Sequence, residues 1–166
     1  MSLTPEPPAG DRTDSIARDV HAAITAGGLN GLPTLAAIID RVATLHGKPI
    51  RLEQVGDAEW GSLTGLWVET PAVSRIFTRR TDPVAYQVVC ALHEVMHILL
   101  NHPSCLPTIS ELGLSLPPGA RRARNAGSAF ISRVQASYES EAEFGARVLA
   151  QALLHGLEDP VERRFG

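Results

Sequence analysis

The chain has 166 residues and a mass of 17.8 kDa, a size typical of one domain. With 15 basic and 18 acidic residues its formal net charge is −3, which excludes a strongly basic coat for nucleic acid, so we expect no direct binding of nucleic acid. Aromatic residues make up only 5% of the chain, which also argues against a stacking platform for single strands.

The sequence also predicts a compartment. No stretch approaches the ~18 consecutive apolar residues of a membrane span, and residues 1–14 lack the apolar run of a secretory signal. The two cysteines, Cys90 and Cys105, lack C-x-x-C spacing and are too few for a disulfide framework. We therefore predict a cytoplasmic protein without a membrane span, with both thiols free.

The N-terminal region predicts a tail followed by a helix. Residues 1–13 contain three prolines and no periodic apolar pattern, so we expect a disordered tail before a single domain over residues 14–166. Asp14 or Ser15 is expected to cap a first helix that ends at Gly27.

A second helix and three strands follow. Thr34 is expected to cap the helix, whose apolar residues recur at 3.6-residue spacing until Gly47 stops it. The next segments, Ile50–Val55, Leu63–Glu69 and Val73–Thr78, are rich in β-branched and aromatic residues or alternate in polarity, as strands do. Because they lie close together along the chain, we predict a small antiparallel sheet and an α+β fold.

Two further helices are predicted, separated by a loop. Asp82 as N-cap and Pro83 as first helical residue predict a helix that runs to about Asn101. Residues 103–127 hold four prolines and three glycines and are expected to form a loop, which includes Arg121, Arg122 and Arg124. A last helical region is expected over residues 128–155, broken near Ala136–Ser137 and stopped by Gly156.

The first of these helices contains the motif H-E-x-x-H, formed by His93, Glu94 and His97. Residues four apart share one helix face, so both imidazoles can bind one Zn²⁺ ion. Glu94 lies at the edge of the same site, where it can accept a proton from the attacking water and pass it to the leaving amine. The competing interpretation is a solvated helix face without metal.

A catalytic zinc site needs a third protein ligand. The class H-E-x-x-H-x-x-G-x-x-H is excluded, because Leu100 and Pro103 stand where it requires Gly and His. His102 is one remaining candidate. The others are three alternating carboxylates near the start of the last helix, which would repel one another unless a cation faced them: Glu139, Glu141 and Glu143.

These segments resemble the ImmA/IrrE family of zinc-dependent metallopeptidases. The resemblance is carried by residues 92–102, which read L-H-E-V-M-H-I-L-L-N-H, and by Glu139 followed by Ala142 and Ala146, an E-x-x-A-x-x-x-A pattern. It implies a zincin-like fold, a small sheet packed with the H-E-x-x-H helix and a C-terminal ligand-bearing helix. It also implies that His93, His97 and Glu139 bind the metal, while Glu143 orients a zinc-bound His.

The resemblance further implies a zinc metalloprotease that regulates genes by cutting another protein. Its expected substrate class is a helix-turn-helix transcriptional regulator, because well-studied family members cut such repressors. The alternative function is a catalytically silent metal-binding module that sequesters a regulator, although binding zinc alone would not need Glu94.

Overall fold

The computed structural model describes residues 9–56, 63–103, 119–125 and 133–162. Within these ranges the chain has an α+β architecture, with four helices and one mixed four-stranded sheet. None of the described helices combines the length and apolar character needed to cross a bilayer. The elements are α1 (Ala9–Gly27), α2 (Leu35–His46), β1 (Ile50–Val55), β2 (Leu63–Glu69), β3 (Ser74–Arg79), α3 (Val84–Leu99), β4 (Ala120–Asn125) and α4 (Arg133–Glu162).

The first two helices lie close to their predicted positions. Helix α1 ends at Gly27 as expected but begins at Ala9, so residues 9–13 are helical and not part of a tail, while residues 1–8 lie outside the described ranges. The prediction for α2 is confirmed. The Thr34 hydroxyl accepts a hydrogen bond from the Ala37 amide (3.1 Å), and Gly47 ends the helix in the left-handed conformation at φ 73°.

The sheet is mixed, so the prediction of an antiparallel sheet is wrong in part. Its strand order is β1-β3-β2-β4, in which β2 pairs antiparallel with both β3 and β4. Strand β1 lies on the outer side of β3 and runs parallel to it, with Ile50 opposite Ser74. Sequence patterns identified β1, β2 and β3 but not which strands are neighbours, since consecutive strands are adjacent only roughly two-thirds of the time.

Strand β4 forms where a loop was predicted. It contains no β-branched or aromatic residue, so local propensity does not favour a strand there. Pairing with β2 supplies partners for its backbone, with Leu63 opposite Asn125, and the Glu69 amide donates to the Gly119 carbonyl (2.8 Å). Gly119 has φ 83°, and a Cβ there would collide with the Glu69 carbonyl oxygen, so this approach requires glycine.

Helix α3 lies at the centre of the molecule, in contact with α2, α4, β2 and β3. Its residues 90–98 are all buried, so the H-E-x-x-H motif sits inside the core and not on a solvated face. The surrounding core is apolar and draws on every helix and on the sheet; its members include Val20, Ile24, Ile38, Val42, Trp67, Ile76, Leu92, Val95, Met96, Ala142, Ala146 and Leu149.

The start of α3 differs by one residue from the prediction. Pro83 occupies the N-cap position with ψ 141°, and Asp82 lies before it without capping the helix through its side chain. Proline restricts only φ, so Pro83 can adopt this extended ψ and leave Val84 as the first helical residue. The Asp82 carbonyl instead accepts a hydrogen bond from the Gln87 side chain (2.7 Å).

Helix α4 is longer than predicted. It is continuous through Ala136–Ser137 and passes Gly156, so the expected break and stop are both wrong. A glycine inside a helix costs only about 0.5–1 kcal/mol relative to Ala, which the packing of α4 against α3 and α1 can offset.

Gly145 allows α4 to pack closely against α3. A Cβ on Gly145 would lie 2.5 Å from Met96 Cε and 2.9 Å from Met96 Cγ, and Met96 is fully buried. Any side chain at this position would force the two helices apart or displace Met96. Because α4 carries Glu139 and α3 carries both motif histidines, this close approach sets the distance between them.

We expect the substitution Gly145→Ala to lower the free energy of unfolding by about 1–2 kcal/mol, since overpacking outweighs the gain in helix propensity. Urea denaturation measures the change. Gly10→Ala is a matched control, because a Cβ at Gly10 in α1 meets nothing within 4 Å and should not destabilise the protein. Equal effects of the two substitutions would contradict the close packing at Gly145.

Candidate metal centre

The two motif histidines point at the same place from one face of α3. Their Nε2 atoms lie 3.0 Å apart, and the ring centroids are 4.7 Å apart at an interplanar angle of 71°. The side chains of His93 and His97 are only 3% and 1% exposed. The four-residue spacing therefore produces the convergent pair that the sequence predicted, and both side chains are buried from solvent.

Glu139 completes this group from α4. Its Oε2 lies 2.9 Å from His93 Nε2, and its Oε1 lies 3.4 Å from His97 Nε2. Burial alone would raise the pKa of Glu139, but hydrogen bonds and charge interactions with His93 and His97 outweigh burial and hold that pKa well below its usual range. Glu139 is therefore ionised at neutral pH, as an anionic metal ligand must be.

The three side chains fit a metal ion. One donor atom from each of His93, His97 and Glu139 lies within 4.8 Å of the others, and this group could hold a metal. The closest contacts between the three pairs are 2.9, 3.0 and 3.4 Å. Donors at 2.0–2.1 Å from a tetrahedral zinc would be about 3.3 Å apart, so the observed cluster needs only slight expansion.

Glu94 is the second catalytic candidate from the motif. It follows His93 directly on α3, and its side chain is only 1% exposed. A carboxylate in an apolar core costs free energy unless its charge is compensated. A cation held by the neighbouring histidines would contribute to that compensation.

The three alternating acids of α4 contact different partners. Glu139 alone reaches the Nε2 atoms of both motif histidines. The Glu143 carboxylate lies 3.4 Å from His93 Nδ1 and 3.2 Å from Arg147 Nε, so it is next to the ring that it was predicted to orient, but no hydrogen bond joins it to His93 Nδ1. Glu141 turns to His102, at 2.8 Å. The structure thus separates three carboxylates that the sequence left as alternatives.

His102 does not join the group around the Nε2 atoms, although it was a candidate ligand. The residue is 3% exposed. Its Nδ1 lies 2.8 Å from His97 Nδ1, which is the ring nitrogen of His97 that does not belong to this group. Its ring also packs on Tyr138, with centroids 4.6 Å apart. The contact of His102 with both His97 and Glu141 was missed by sequence reasoning.

A defined turn at the end of α3 brings His102 back to His97. Asn101 adopts φ 52°, the Asn101 amide donates to the Ile98 carbonyl (3.1 Å), and the His102 amide donates to the His97 carbonyl (3.0 Å). These two bonds around a left-handed residue are the Schellman motif, in which asparagine is one of the residues tolerated. The helix itself ends at Leu99, and the sequence signal for the turn is Asn101, where the helix was predicted to end.

Other residues considered from the sequence lie elsewhere. Cys90 is buried in α3 one turn before His93, and Cys105 is outside the described ranges. The Arg121 guanidinium stacks over the Trp67 ring at 5.4 Å and lies near Glu69, so it belongs to the sheet.

Comparison with known proteins adds no assignment. No family profile matches the chain, and no curated protein matches it.

Proposed function

We propose that this chain is a zinc-dependent metallo-endopeptidase with a zincin-like fold, which hydrolyses a peptide bond in a regulatory protein. The observation that carries the proposal is the convergence of His93, His97 and Glu139 beside the buried Glu94. The resemblance to the ImmA/IrrE family supports the substrate class, a helix-turn-helix transcriptional regulator.

In this proposal each side chain of the site has one task. His93, His97 and Glu139 would hold the zinc ion, which when bound supplies Lewis-acid polarisation of the scissile carbonyl and of the attacking water. The Glu94 carboxylate takes a proton from that water while the oxygen of the water forms a bond to the carbonyl carbon. Glu94 then donates the proton to the amide nitrogen as the C–N bond breaks, which releases the amine.

The donor set narrows the choice of metal but leaves two candidates. Two imidazoles and one carboxylate are typical of catalytic zinc and also of non-haem Fe(II) sites. The acid directly after the first histidine favours zinc hydrolysis, because oxygen chemistry at iron has no need of a general base there. Elemental analysis of the gently purified full chain should find about one equivalent of zinc. Stoichiometric iron, or no metal at all, would contradict the proposal.

Hydrolysis itself can be tested with a proteome-derived peptide library as the probe. We expect the purified chain to create new peptide termini, to lose this activity on treatment with a zinc chelator and to regain it when zinc is added back. Mass spectrometry of the termini measures the result. A set of termini that is the same with and without the chelator would count against a metallopeptidase.

A further inference from the structure

We infer that His102 and Glu141 are positioning residues that hold His97 in the one ring tautomer and orientation able to bind the metal. This inference rests on the proposed metal site. It goes beyond it by giving a role to two residues that touch no reacting atom and that lie on different elements. The observation behind it is a continuous chain of contacts from Glu141 through His102 to His97.

The distances along this chain define its hydrogen bonds once His97 Nε2 serves as a ligand. A neutral imidazole that binds metal through Nε2 carries its proton on Nδ1. His97 Nδ1 must then donate to His102 Nδ1, across 2.8 Å. With its Nδ1 as acceptor, His102 carries its proton on Nε2 and donates it to Glu141 Oε2, again across 2.8 Å.

Every donor in this hydrogen-bond chain therefore finds an acceptor. The opposite arrangement, with a proton on His97 Nε2, would block metal binding. It would also reverse the first hydrogen bond, so that His102 Nε2 would lose its proton and face the Glu141 carboxylate as an acceptor. The anionic Glu141 thus favours the binding-competent tautomer of His97 from the far end of the chain.

Burial and backbone geometry keep the hydrogen-bond chain Glu141–His102–His97 in place. His97 and His102 are only 1% and 3% exposed, so water does not compete readily for their ring nitrogens. The Schellman turn at Asn101 ties the His102 backbone to the His97 carbonyl at 3.0 Å. On the other side, Ser137 Oγ donates to Glu141 Oε1 at 3.3 Å and thereby steadies the carboxylate.

The two metal-binding histidines are consequently supported in different ways. His93 Nδ1 faces a carboxylate directly, that of Glu143 at 3.4 Å. His97 reaches its carboxylate only through a second imidazole. Through His102, Glu141 on α4 is thus connected to His97 Nδ1, while Glu139 on the same helix contacts His97 at Nε2.

The test measures zinc affinity by competition with a chromophoric chelator, using the full-length chain. His102→Phe keeps a ring to pack on Tyr138 but removes both nitrogens, and we expect it to weaken zinc binding by about 10- to 100-fold. His102→Asn should restore most of the affinity, because its Oδ1 can accept the proton of His97 Nδ1 near the position of the lost Nδ1. Glu141→Ala should weaken binding in the unsubstituted background and have no further effect in the presence of His102→Phe.

A merely structural role for His102 would give a different result. It would lower the unfolding temperature equally with and without zinc and would leave the zinc affinity unchanged. Zinc affinity within about threefold of the unsubstituted protein for both His102→Phe and Glu141→Ala would overturn the inference, given the range expected for such supporting residues. Should His102→Phe fail to fold, Glu141→Ala decides the question by the same threefold limit, because it removes the acceptor at the end of the hydrogen-bond chain and leaves both imidazoles in place.

The same zinc measurements distinguish failure of the proposed function from failure of the positioning role. Failure of the unsubstituted chain to bind zinc would overturn the proposed function together with this inference. Stoichiometric zinc in the unsubstituted chain, with no loss of affinity in the variants, would overturn only the positioning role. Asp40→Asn, an exposed substitution on α2, controls for a general effect of removing a carboxylate.

Discussion

Replacing Glu94 by Gln is expected to reduce peptide hydrolysis by about 10²- to 10⁴-fold while leaving zinc content near one equivalent. Glutamine has nearly the shape of glutamate, so the buried position in α3 stays filled and the two flanking histidines keep their places. What it cannot do is accept a proton from water and return it to the leaving amine. This variant should therefore lose proton transfer while it keeps the metal ligands intact.

The measurement compares three purified proteins on the same peptide that the unsubstituted chain cleaves: the unsubstituted chain, Glu94→Gln and the exposed carboxylate control Asp40→Asn. Rates of fragment formation and zinc content are read from the same samples. We expect Asp40→Asn to match the unsubstituted chain in both. Full activity of Glu94→Gln would contradict the role of Glu94 as general base.

The same variant distinguishes the peptidase from the silent metal-binding module. In cells that express the unsubstituted chain, an internal cleavage of a regulatory protein should appear among the protein N termini, and it should vanish with Glu94→Gln. The change in gene expression should vanish with it. If Glu94→Gln retained zinc and still produced the full change in gene expression, sequestration of the regulator would be the better explanation.

Replacing Glu139 by Gln is expected to weaken zinc binding by more than about 100-fold, beyond the range found for residues that only support ligands. Glu139 brings the negative charge of the ligand set, and it is the acid that contacts both Nε2 atoms, at 2.9 and 3.4 Å. Although burial opposes ionisation, contacts with the two rings lower the pKa of Glu139 and favour its anionic form. The neutral amide loses that interaction and is a poor zinc ligand.

Two neighbouring acids provide matched controls on the same helix. Glu141→Gln and Glu143→Gln remove one charge each, but the amide oxygen in Glu141→Gln can still accept the hydrogen bond from His102 Nε2, and Glu143 faces His93 at Nδ1 and not at the Nε2 that would bind the metal. We expect their zinc affinities to stay within about tenfold of the unsubstituted protein. Equal losses of zinc affinity in all three variants would mean that α4 acts only through its total charge. A larger loss for Glu143→Gln than for Glu139→Gln would indicate that Glu143 is the third ligand.

Local patterns account for the parts of the fold that were predicted well. Thr34 and Gly47 bound α2 because capping depends on a few neighbouring backbone groups. The spans of β1 and β2 follow from runs of residues suited to a pleated surface. The convergence of His93 and His97 belongs to the same class, since four-residue spacing on a helix is a local property.

Features that depend on distant neighbours were predicted poorly. Strand β4 exists because β2 offers it hydrogen-bond partners, while its own residues resemble a loop. The parallel pairing of β1 with β3 joins strands that are not consecutive in the chain and has no signature in either strand. Helix α4 continues past Gly156 because elements far away in sequence pack against its earlier part.

At the metal site, too, local relations were predictable from the sequence and contacts between distant elements were not. The sequence by itself determined the histidine pair and placed Glu94 next to it, because one helix turn sets those relations. The family resemblance implied Glu139 as the third ligand, but only the tertiary structure brought Glu139 next to the histidine pair and connected Glu141 to His97 through His102. Those contacts depend on how closely α4 approaches α3, which Gly145 permits, and on the turn at Asn101, neither of which periodicity along a single helix can reveal.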